Sequence, residues 1–283
     1  MPKITNKKNL PAALVRFIQS NKHVSGGAEF SVTELMDSAQ IRRLKKEHRE
    51  EIEEDVSDNV MSILGTAVHE VLSRYCDEES IPETRLFANV NGKTISGQID
   101  LLEKQPGGFS VVDYKTTSAS SIRYNPDGKP EWEKQLNLYA FLAEQNDIPV
   151  VGLDVVVIIR DWSKTMVSKS EWYPKQPILR IPIPFWTKSE TEEYIIDRLN
   201  VHEDEKSLCT ADERWQRPAK FAVYAGKTKR ARKLFNKRED AEDYEIMLAQ
   251  SDTRIEKRPA ESVRCRDNFC GVARFCEQYK TVE

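Results

Sequence analysis

The sequence has no hydrophobic run long enough to cross a bilayer, and its first ten residues lack the apolar core of a secretory leader. It also has no excess of positive charge, because 43 Lys and Arg face 46 Asp and Glu, a formal net charge of −3. A nucleic-acid-binding protein with this balance needs a local basic surface. These absences predict a cytoplasmic protein without a membrane partner.

Cysteine is scarce, with five residues in 283. In a reducing compartment we expect thiols or metal ligands, and a disulfide framework is excluded. Cys265, Cys270 and Cys276 lie close together near the C-terminus, whereas Cys209 stands alone. Three thiols do not complete a tetrahedral metal site, so Cys209 is the candidate fourth ligand. Buried free thiols are the alternative.

Two runs of β-forming residues, 95–102 and 109–115, are separated by the turn sequence QPGG. They predict a hairpin that brings Asp100 and Asp113 close together. Asp113 and Lys115 are two apart, so both side chains leave one face of the strand. Two close carboxylates raise each other's pKa unless a cation neutralises them, and oxygen ligands suit Mg²⁺ or Mn²⁺. A solvated hairpin whose charges never converge is the alternative.

Two amphipathic segments flank this hairpin in the sequence. Residues 60–75 have helical spacing, with His69 at the edge of the apolar side. Residues 132–145 predict a second helix, which carries Gln135 and Tyr139 on one face because they are four apart. In the first helix we expect a buried stripe at Ile63, Ala67, Val71 and Leu72.

Shorter patterns predict the remaining elements. Ser31 followed by Glu34 is a capping box at the start of a helix. Residues 150–159 form the most apolar run and predict a buried central strand, whereas the prolines in 178–184 predict an edge strand. Residues 189–201 are amphipathic and predict a further helix.

A basic segment follows residue 220. Two short β-like runs joined at Gly226 predict a hairpin that precedes a helix over residues 238–250. The phosphate-loop pattern G-x-x-x-x-G-K-[ST] is absent. Interleaved aromatic and basic residues favour a nucleic-acid-binding flap over a merely solvated hairpin. The candidate contact residues are Lys227, Lys229, Arg230, Arg232 and Lys233.

The ordered motifs G-T-x-x-H at 65–69, G-x-x-D at 97–100, D-x-K-T at 113–116 and Q-x-x-x-Y at 135–139 resemble the RecB-like branch of the PD-(D/E)XK nuclease superfamily. The resemblance covers roughly residues 30–144. It implies an α/β fold with a restriction-endonuclease-like core, a central mixed sheet flanked by helices, and a C-terminal extension that contains the cysteines. The implied organisation is an N-terminal arm over 1–28, a nuclease core over 29–205, and a basic hairpin with the cysteine cluster over 206–283, packing on the core.

The resemblance also implies roles for the motif residues. His69, Asp100, Asp113 and the carbonyl of Tyr114 would hold one or two Mg²⁺ or Mn²⁺ ions, and Lys115 would orient or deprotonate water or offset negative charge. Gln135 and Tyr139 would position the scissile strand. Glu83 resembles a glutamate that many family members keep near the metal, with an exposed charge at a strand edge as the alternative.

The function implied is metal-dependent cleavage of DNA, by an exonuclease acting on single-stranded or end-processed DNA in recombination, repair or phage replication. A recombination or replication protein is the expected partner. A non-catalytic DNA-binding module, an adaptor that keeps the nuclease fold, and a CRISPR-adaptation nuclease of the same fold are the alternatives.

The resemblance bears on the cysteines as well. Family members with a [4Fe–4S] cluster take three ligands from the C-terminus and a fourth from a segment before the G-T-x-x-H helix. In this chain that segment includes the sequence DSAQ at 37–40, which has no cysteine. Either Cys209 replaces the missing ligand, with iron–sulfur favoured over zinc, or the cluster has been lost.

Overall fold

The computed structural model describes residues 3–20, 25–249, 252–267 and 269–281. Its strands, numbered in chain order, are β1 (Lys3–Thr5), β2 (Phe30–Ser31), β3 (Glu53–Asp55), β4 (Ile81–Val90), β5 (Lys93–Gln105), β6 (Gly108–Thr117), β7 (Val150–Ile159), β8 (Ile178–Pro182), β9 (Gln216–Arg217), β10 (Lys220–Ala225), β11 (Lys233–Phe235), β12 (Thr253–Arg258) and β13 (Glu261–Ser262).

Its α-helices are α1 (Ala12–Ser20), α2 (Val32–Met36), α3 (Ala39–Glu47), α4 (Val60–Ser73), α5 (Ala119–Tyr124), α6 (Pro130–Glu144), α7 (Lys164–Lys169), α8 (Lys188–Glu203), α9 (Arg238–Leu248), α10 (Val263–Arg266) and α11 (Glu277–Lys280). Within the described ranges, no helix combines the length and apolar character needed to cross a membrane.

A six-stranded mixed sheet forms the centre of the first of two units, which consists of Met1–Asp37 and Glu53–Glu205. The strands run in the order β2-β5-β6-β7-β8, and β4 also pairs with β5. β6 and β7 are parallel, whereas β4 and β6 are antiparallel to β5. The predicted α/β fold with a central mixed sheet flanked by helices is confirmed. β7 is the inner strand and β8 the edge strand, as the apolar run and the prolines predicted.

Two tight turns fix the register of β4, β5 and β6. The predicted hairpin is confirmed, because Gln105 pairs with Gly108 across a two-residue turn in which Gly107 has a φ of 88°. A second turn at Asn91 and Gly92 joins β4 to β5, with φ values of 50° and 79°. Positive φ at both central residues is the type I′ geometry that Asn-Gly favours in hairpins. Each turn therefore sets which residues of the long strand β5 face its neighbours.

Helices pack against this sheet. α6 lies against β4 to β7 and buries Leu136, Leu138 and Leu142, while α4 lies against β5 and β6. A Cβ at Gly97 would come within 2.7 Å of Leu142 Cδ1 and 2.8 Å of the Tyr139 ring, so only glycine allows this close approach. The predicted capping box is confirmed: Ser31 and Glu34 satisfy each other's backbone N–H groups at the start of α2.

The predicted buried stripe of α4 is wrong. No residue of the helix is buried; Ala67 is exposed, and Val71 is 53% exposed. Apolar residues surround most of this helix, so their spacing does not identify the side that meets the sheet. That side is the one with Gly65, Thr66 and His69, which line a groove with β4 and β5.

The second unit consists of Ser38–Ile52 and Lys206–Glu283. It contains a three-stranded sheet in the order β11-β10-β12, with α9 packed against it. The predicted helix at 238–250 is α9, and residue 250 lies outside the described residues. The segment 38–52 carries α3 and belongs to this unit, although the sequence boundaries assigned it to the 29–205 core.

Candidate metal centre

Three carboxylates form a row across three neighbouring strands. Pro82 pairs with Leu101 and Thr84 with Ile99, so Glu83 on β4 lies opposite Asp100 on β5. Leu101 pairs with Val112, and continuing that register places Asp113 on β6 opposite Asp100. Residues opposite each other share a face of the sheet. The turns at 91–92 and 106–107 therefore align the acids without help from the rest of the fold.

The carboxylate of Asp100 lies at the centre of this row. Its Oδ2 accepts a hydrogen bond from the backbone N–H of Tyr114 at 2.8 Å, and its Oδ1 lies 3.3 Å from Nδ1 of His69. The other ring nitrogen of His69 is 3.0 Å from the carbonyl oxygen of Tyr114. Hydrogen bonding to Asp100 raises the pKa of His69 to about 9 despite partial burial. In the metal-free protein the imidazolium therefore supplies positive charge between two oxygens.

Asp113 is the most enclosed of the three acids, with a side chain that is 2% exposed. Burial raises the pKa of its carboxyl to about 6, and Asp100 adds to the shift, while Lys115 opposes it. The Nζ atom of Lys115 pairs with Oδ2 of Asp113 at 2.6 Å. A buried carboxylate needs positive charge beside it, which this ammonium supplies and which a bound cation would add to.

Gln135 and Tyr139 extend the polar network from α6. Nζ of Lys115 donates to Oε1 of Gln135 at 3.1 Å, and Nε2 of Gln135 donates to the hydroxyl of Tyr139 at 2.9 Å. Burial raises the pKa of Tyr139, which keeps its phenol neutral. The helical spacing therefore brings Gln135 to the lysine of the D-x-K motif and the hydroxyl of Tyr139 to Gln135.

Glu83 joins the site in a strained backbone conformation. One ligand atom from each of His69, Glu83 and Asp100 lies within 4.8 Å of the others. Glu83 has a φ of 48° in the middle of a strand. For a residue other than glycine this left-handed conformation costs about 1–3 kcal/mol, and such strain concentrates at functional sites. An exposed charge at a strand edge, the alternative for Glu83, would not require this left-handed conformation.

Gln98 and Arg85 hold the carboxylate of Glu83. Nε2 of Gln98 donates to Oε2 of Glu83 at 2.6 Å, and Arg85 donates to Oε1 of Gln98 at 2.7 Å. Arg85 also donates to the hydroxyl of Ser96 at 3.3 Å. Groups that hold a ligating side chain in place commonly change metal affinity 10- to 100-fold when removed. All of these residues line the same groove as His69 and Asp100.

The donor set fits a hard divalent cation. Mg²⁺ binds oxygen at about 2.1 Å in an octahedron, so opposite ligands lie about 4.2 Å apart. The ligand atoms of His69, Glu83 and Asp100 lie within 4.8 Å of one another, which is close to that span. These three residues therefore fit Mg²⁺ or Mn²⁺. Asp113 is not part of this group of three, but its buried carboxylate and the carbonyl of Tyr114 are hard donors next to it.

The five basic residues predicted to contact nucleic acid lie in the second unit. All are exposed, in the turn between β10 and β11 and at the start of β11. Within the described part of the chain none forms an ion pair, although Lys233 lies over the rings of Phe235 and Tyr244. Their contact with nucleic acid stays a prediction.

The four candidate cluster cysteines also lie in the second unit and line one pocket. All four are buried, and burial raises the pKa of Cys209 to about 11. Cys209 Sγ is 3.0 Å from the hydroxyl of Ser38, and Gln40 donates to Cys276 Sγ at 3.5 Å. The DSAQ segment that lacks the family cysteine therefore contacts the pocket.

Sequence reasoning left several of these residues out. Glu83 lies outside the predicted metal set, although counting along both strands from the turn Asn91-Gly92 places it opposite Asp100. Gln98 lies inside the G-x-x-D motif, yet nothing in the sequence indicated its contact with Glu83. Ser38 gave no signal either, because its partner Cys209 is 171 residues away.

Residues 82–277 match the PD-(D/E)XK nuclease superfamily, and the chain belongs to that superfamily. Solved structures match as well. One is the crystal structure of SSO0001, with 17% sequence identity and a TM-score of 0.44, covering 68% of this chain and 83% of that one. A search of curated proteins returned no significant match.

Proposed function

We propose that this protein is a divalent-metal-dependent deoxyribonuclease. One observation carries the proposal: ligand atoms of His69, Glu83 and Asp100 converge within 4.8 Å, beside the ion pair of Asp113 and Lys115. A nuclease site of this superfamily needs acidic ligands and a lysine together. A hairpin with ordinary surface charges would separate them, because like charges repel across strands.

The ion would be held by His69, Glu83, Asp100, Asp113 and the carbonyl oxygen of Tyr114. When bound, it lowers the pKa of a water molecule and neutralises charge in the transition state. His69 must release a proton before its ring can ligate, because both ring nitrogens face oxygens in the metal-free protein. Asp100 is already held by the N–H of Tyr114.

Lys115 is the group that would act on the reacting atoms. Asp113 and Gln135 hold its ammonium from two sides, at 2.6 and 3.1 Å. From there it orients the attacking water or offsets negative charge on the phosphate. Tyr139 fixes the amide of Gln135, so the lysine keeps one position as the strand binds.

For the substrate we propose single-stranded or end-processed DNA, cut from an end, in recombination, repair or phage replication. The RecB-like motifs support this. The exposed basic residues of the β10–β11 turn support contact with a phosphate backbone, because no carboxylate among the described residues neutralises them. A recombination or replication protein is the proposed partner.

We also propose that Cys209, Cys265, Cys270 and Cys276 bind a [4Fe–4S] cluster. All four line one buried pocket, which supports Cys209 as the replacement for the missing family cysteine. Absorption near ~400 nm by anaerobically purified protein, with iron and sulfide at four each per chain, tests it.

The test of nuclease function is cleavage of end-labelled single-stranded and duplex DNA with Mg²⁺, Mn²⁺ or EDTA. We expect metal-dependent cleavage that stops in EDTA, with mononucleotides appearing first if the enzyme cuts from an end. Lys115→Ala should abolish cleavage while leaving the fold intact, and Lys104→Ala serves as the control. DNA binding without cleavage under every metal condition would instead indicate a non-catalytic binding module, and neither binding nor cleavage would indicate an adaptor.

A further inference from the structure

A cluster of exposed aromatic rings and a cation lies on the first unit, outside the proposed metal site. Tyr124 at the end of α5 is 76% exposed, and Trp172, between α7 and β8, is 40% exposed. The guanidinium carbon of Arg123 lies 4.7 Å from the centre of the Trp172 ring and 5.8 Å from that of Tyr124. An arginine stacked on one ring and close to another presents flat surfaces and positive charge together.

Arg123 has no acidic partner. It is exposed, and it forms neither an ion pair nor a hydrogen bond with any residue in the described ranges. Its charge is thus available to an incoming anion. Tyr124 and Trp172 offer large apolar faces to solvent, which costs free energy unless a ligand covers them.

Hydrogen bonds hold the two chain segments that carry the cluster. The N–H of Ala119 at the start of α5 donates to Oδ1 of Asp161 at 2.7 Å, and the backbone carbonyl of Asp161 accepts from the hydroxyl of Tyr173 at 3.0 Å. The Tyr173 hydroxyl also accepts from the N–H of Ser163 at 2.9 Å. Tyr173 is buried and adjoins Trp172 in the chain. The start of α5 and the residue next to Trp172 are therefore both hydrogen-bonded to Asp161, just beyond the end of β7.

This position is close to the D-x-K motif. Lys115 lies near the end of β6, and α5 begins two residues after that strand ends. Adding the strand, the link and the helix places the Cα atom of Tyr124 within about 22 Å of that of Lys115. A single strand of a few nucleotides spans such a distance. The cluster also lies beyond the carboxyl ends of the parallel strands β6 and β7, where ligands of α/β sheets commonly bind.

The chemistry selects unpaired nucleotides. Proteins that hold single strands stack the bases on aromatic rings and use arginine for stacking and for the backbone charge. In a duplex the base faces are already covered by neighbouring bases, so exposed rings gain little from it. A packing role would bury the rings, yet both remain open to solvent.

We infer that Arg123, Tyr124 and Trp172 form a stacking subsite for unpaired nucleotides on the path to the proposed cleavage site. The inference deepens the proposed function by assigning single-stranded nucleic acid to a defined surface. Binding at the subsite needs no metal, so the two can be tested separately.

The experiment measures anisotropy of a labelled oligo-dT in EDTA, using full-length protein. Trp172→Ala and Tyr124→Ala should each weaken binding roughly tenfold, within the range that loss of one stacked base produces. Trp172→Phe and Tyr124→Phe should restore most of the affinity, because a ring remains. Tyr75→Ala is the matched control, since Tyr75 is 83% exposed but lies outside the cluster; its affinity should equal that of the wild type.

Two further ligands separate stacking from charge. An abasic strand of equal length and a blunt duplex should bind the wild type and the alanine variants equally. If the subsite accepts both RNA and DNA, the alanine variants should lose affinity for oligo-U as they do for oligo-dT. If only their affinity for oligo-dT falls, the subsite is restricted to DNA. Either result supports stacking. Melting temperatures check that each variant is folded.

Several results would overturn the inference. If folded Trp172→Ala and Tyr124→Ala bind oligo-dT as tightly as the wild type, the inference is wrong, and the surface would then suit a protein partner. The inference is also wrong if these variants lose as much affinity for the abasic strand as for oligo-dT, or if Tyr75→Ala loses as much affinity for oligo-dT as they do. Failure of the nuclease proposal looks different: the wild type would cleave nothing with any metal, whatever the variants bind.

Discussion

The metal centre and the cysteine pocket are both built from ionisable residues, but they treat charge in opposite ways. In the metal centre, the imidazolium of His69 lies between Asp100 and the carbonyl of Tyr114, and Lys115 pairs with Asp113. In the cysteine pocket, burial raises the pKa of Cys209 and Cys265, so these two thiols are neutral while no cluster is bound. The metal centre thus holds ionised side chains at fixed positions, whereas the cysteine pocket is a small core of uncharged side chains.

The difference teaches what each region contributes. A groove with charged groups held at fixed distances can bind a cation and a phosphate, and its contribution to stability depends on which of those groups are ionised. A pocket of buried thiols packed with Ile41 and Val272 contributes core contacts to its unit. Substitutions should therefore separate the two: changes in the centre should affect catalysis, and changes in the pocket should affect folding.

The largest effect is expected from Asp113→Asn. The amide keeps the shape but removes a negative ligand, so we expect metal-dependent cleavage to fall by about 10³-fold, because metal stabilisation of the transition state is worth several kcal/mol. The melting temperature should not fall, since burying a neutral amide costs no more than burying a carboxyl whose pKa is raised. Glu144→Gln, exposed on α6, is the control. Cleavage within threefold of wild type would contradict the assignment.

The cysteine pocket should give the converse result. In protein prepared without the proposed cluster, Cys270→Ser places a hydroxyl among apolar neighbours, and we expect the free energy of unfolding to drop by about 3 kcal/mol. Cleavage per folded molecule should be unchanged. Cys76→Ser, at a half-buried cysteine outside the pocket, should change stability by less than ~0.5 kcal/mol. Urea unfolding curves measure both. If Cys270→Ser lost cleavage but kept normal stability, the proposed division between a catalytic centre and a stabilising pocket would be wrong.

The pH dependence of stability gives a further test of the comparison between the metal centre and the cysteine pocket. The pKa of His69 is about 9 in the folded metal-free protein and 6.5 for the ordinary side chain. Stabilisation by the imidazolium is therefore complete below about pH 6.5 and is lost as pH rises through 9. In EDTA we expect the free energy of unfolding to decrease by roughly 2 kcal/mol over this range. In His69→Gln the free energy of unfolding should change much less between pH 6.5 and 9. An unchanged decrease in that variant would show that His69 is not its cause.

The smallest effect concerns Glu83. Glu83→Gly removes the left-handed strain, so the metal-free protein should gain about 1 kcal/mol relative to Glu83→Ala, which keeps a Cβ at the same φ. Both variants should bind Mn²⁺ more weakly in calorimetric titrations, because the carboxylate is gone. Equal stability of the glycine and alanine variants would show that the φ of 48° carries no cost.

Much of the site was predictable because its parts are local. The D-x-K spacing placed Asp113 and Lys115 on one face, and the four-residue spacing aligned Gln135 with Tyr139. The α4 stripe failed for the opposite reason. Apolar residues lie on most sides of that helix, so only its docking on the sheet decided which side faced inward. Helical periodicity identifies a side only when the other sides are polar.

By itself, the sequence determined the row of acids. Two short turns, Asn91-Gly92 and Pro106-Gly107, set the register of three strands, and register decides which side chains share a face. Only the tertiary structure decided which helix residues reach that row, and that Ser38 contacts Cys209 across 171 residues. Turn geometry acts over a few bonds and is carried by residue types. Contacts between distant segments depend on how whole elements pack, and no short stretch of sequence encodes that.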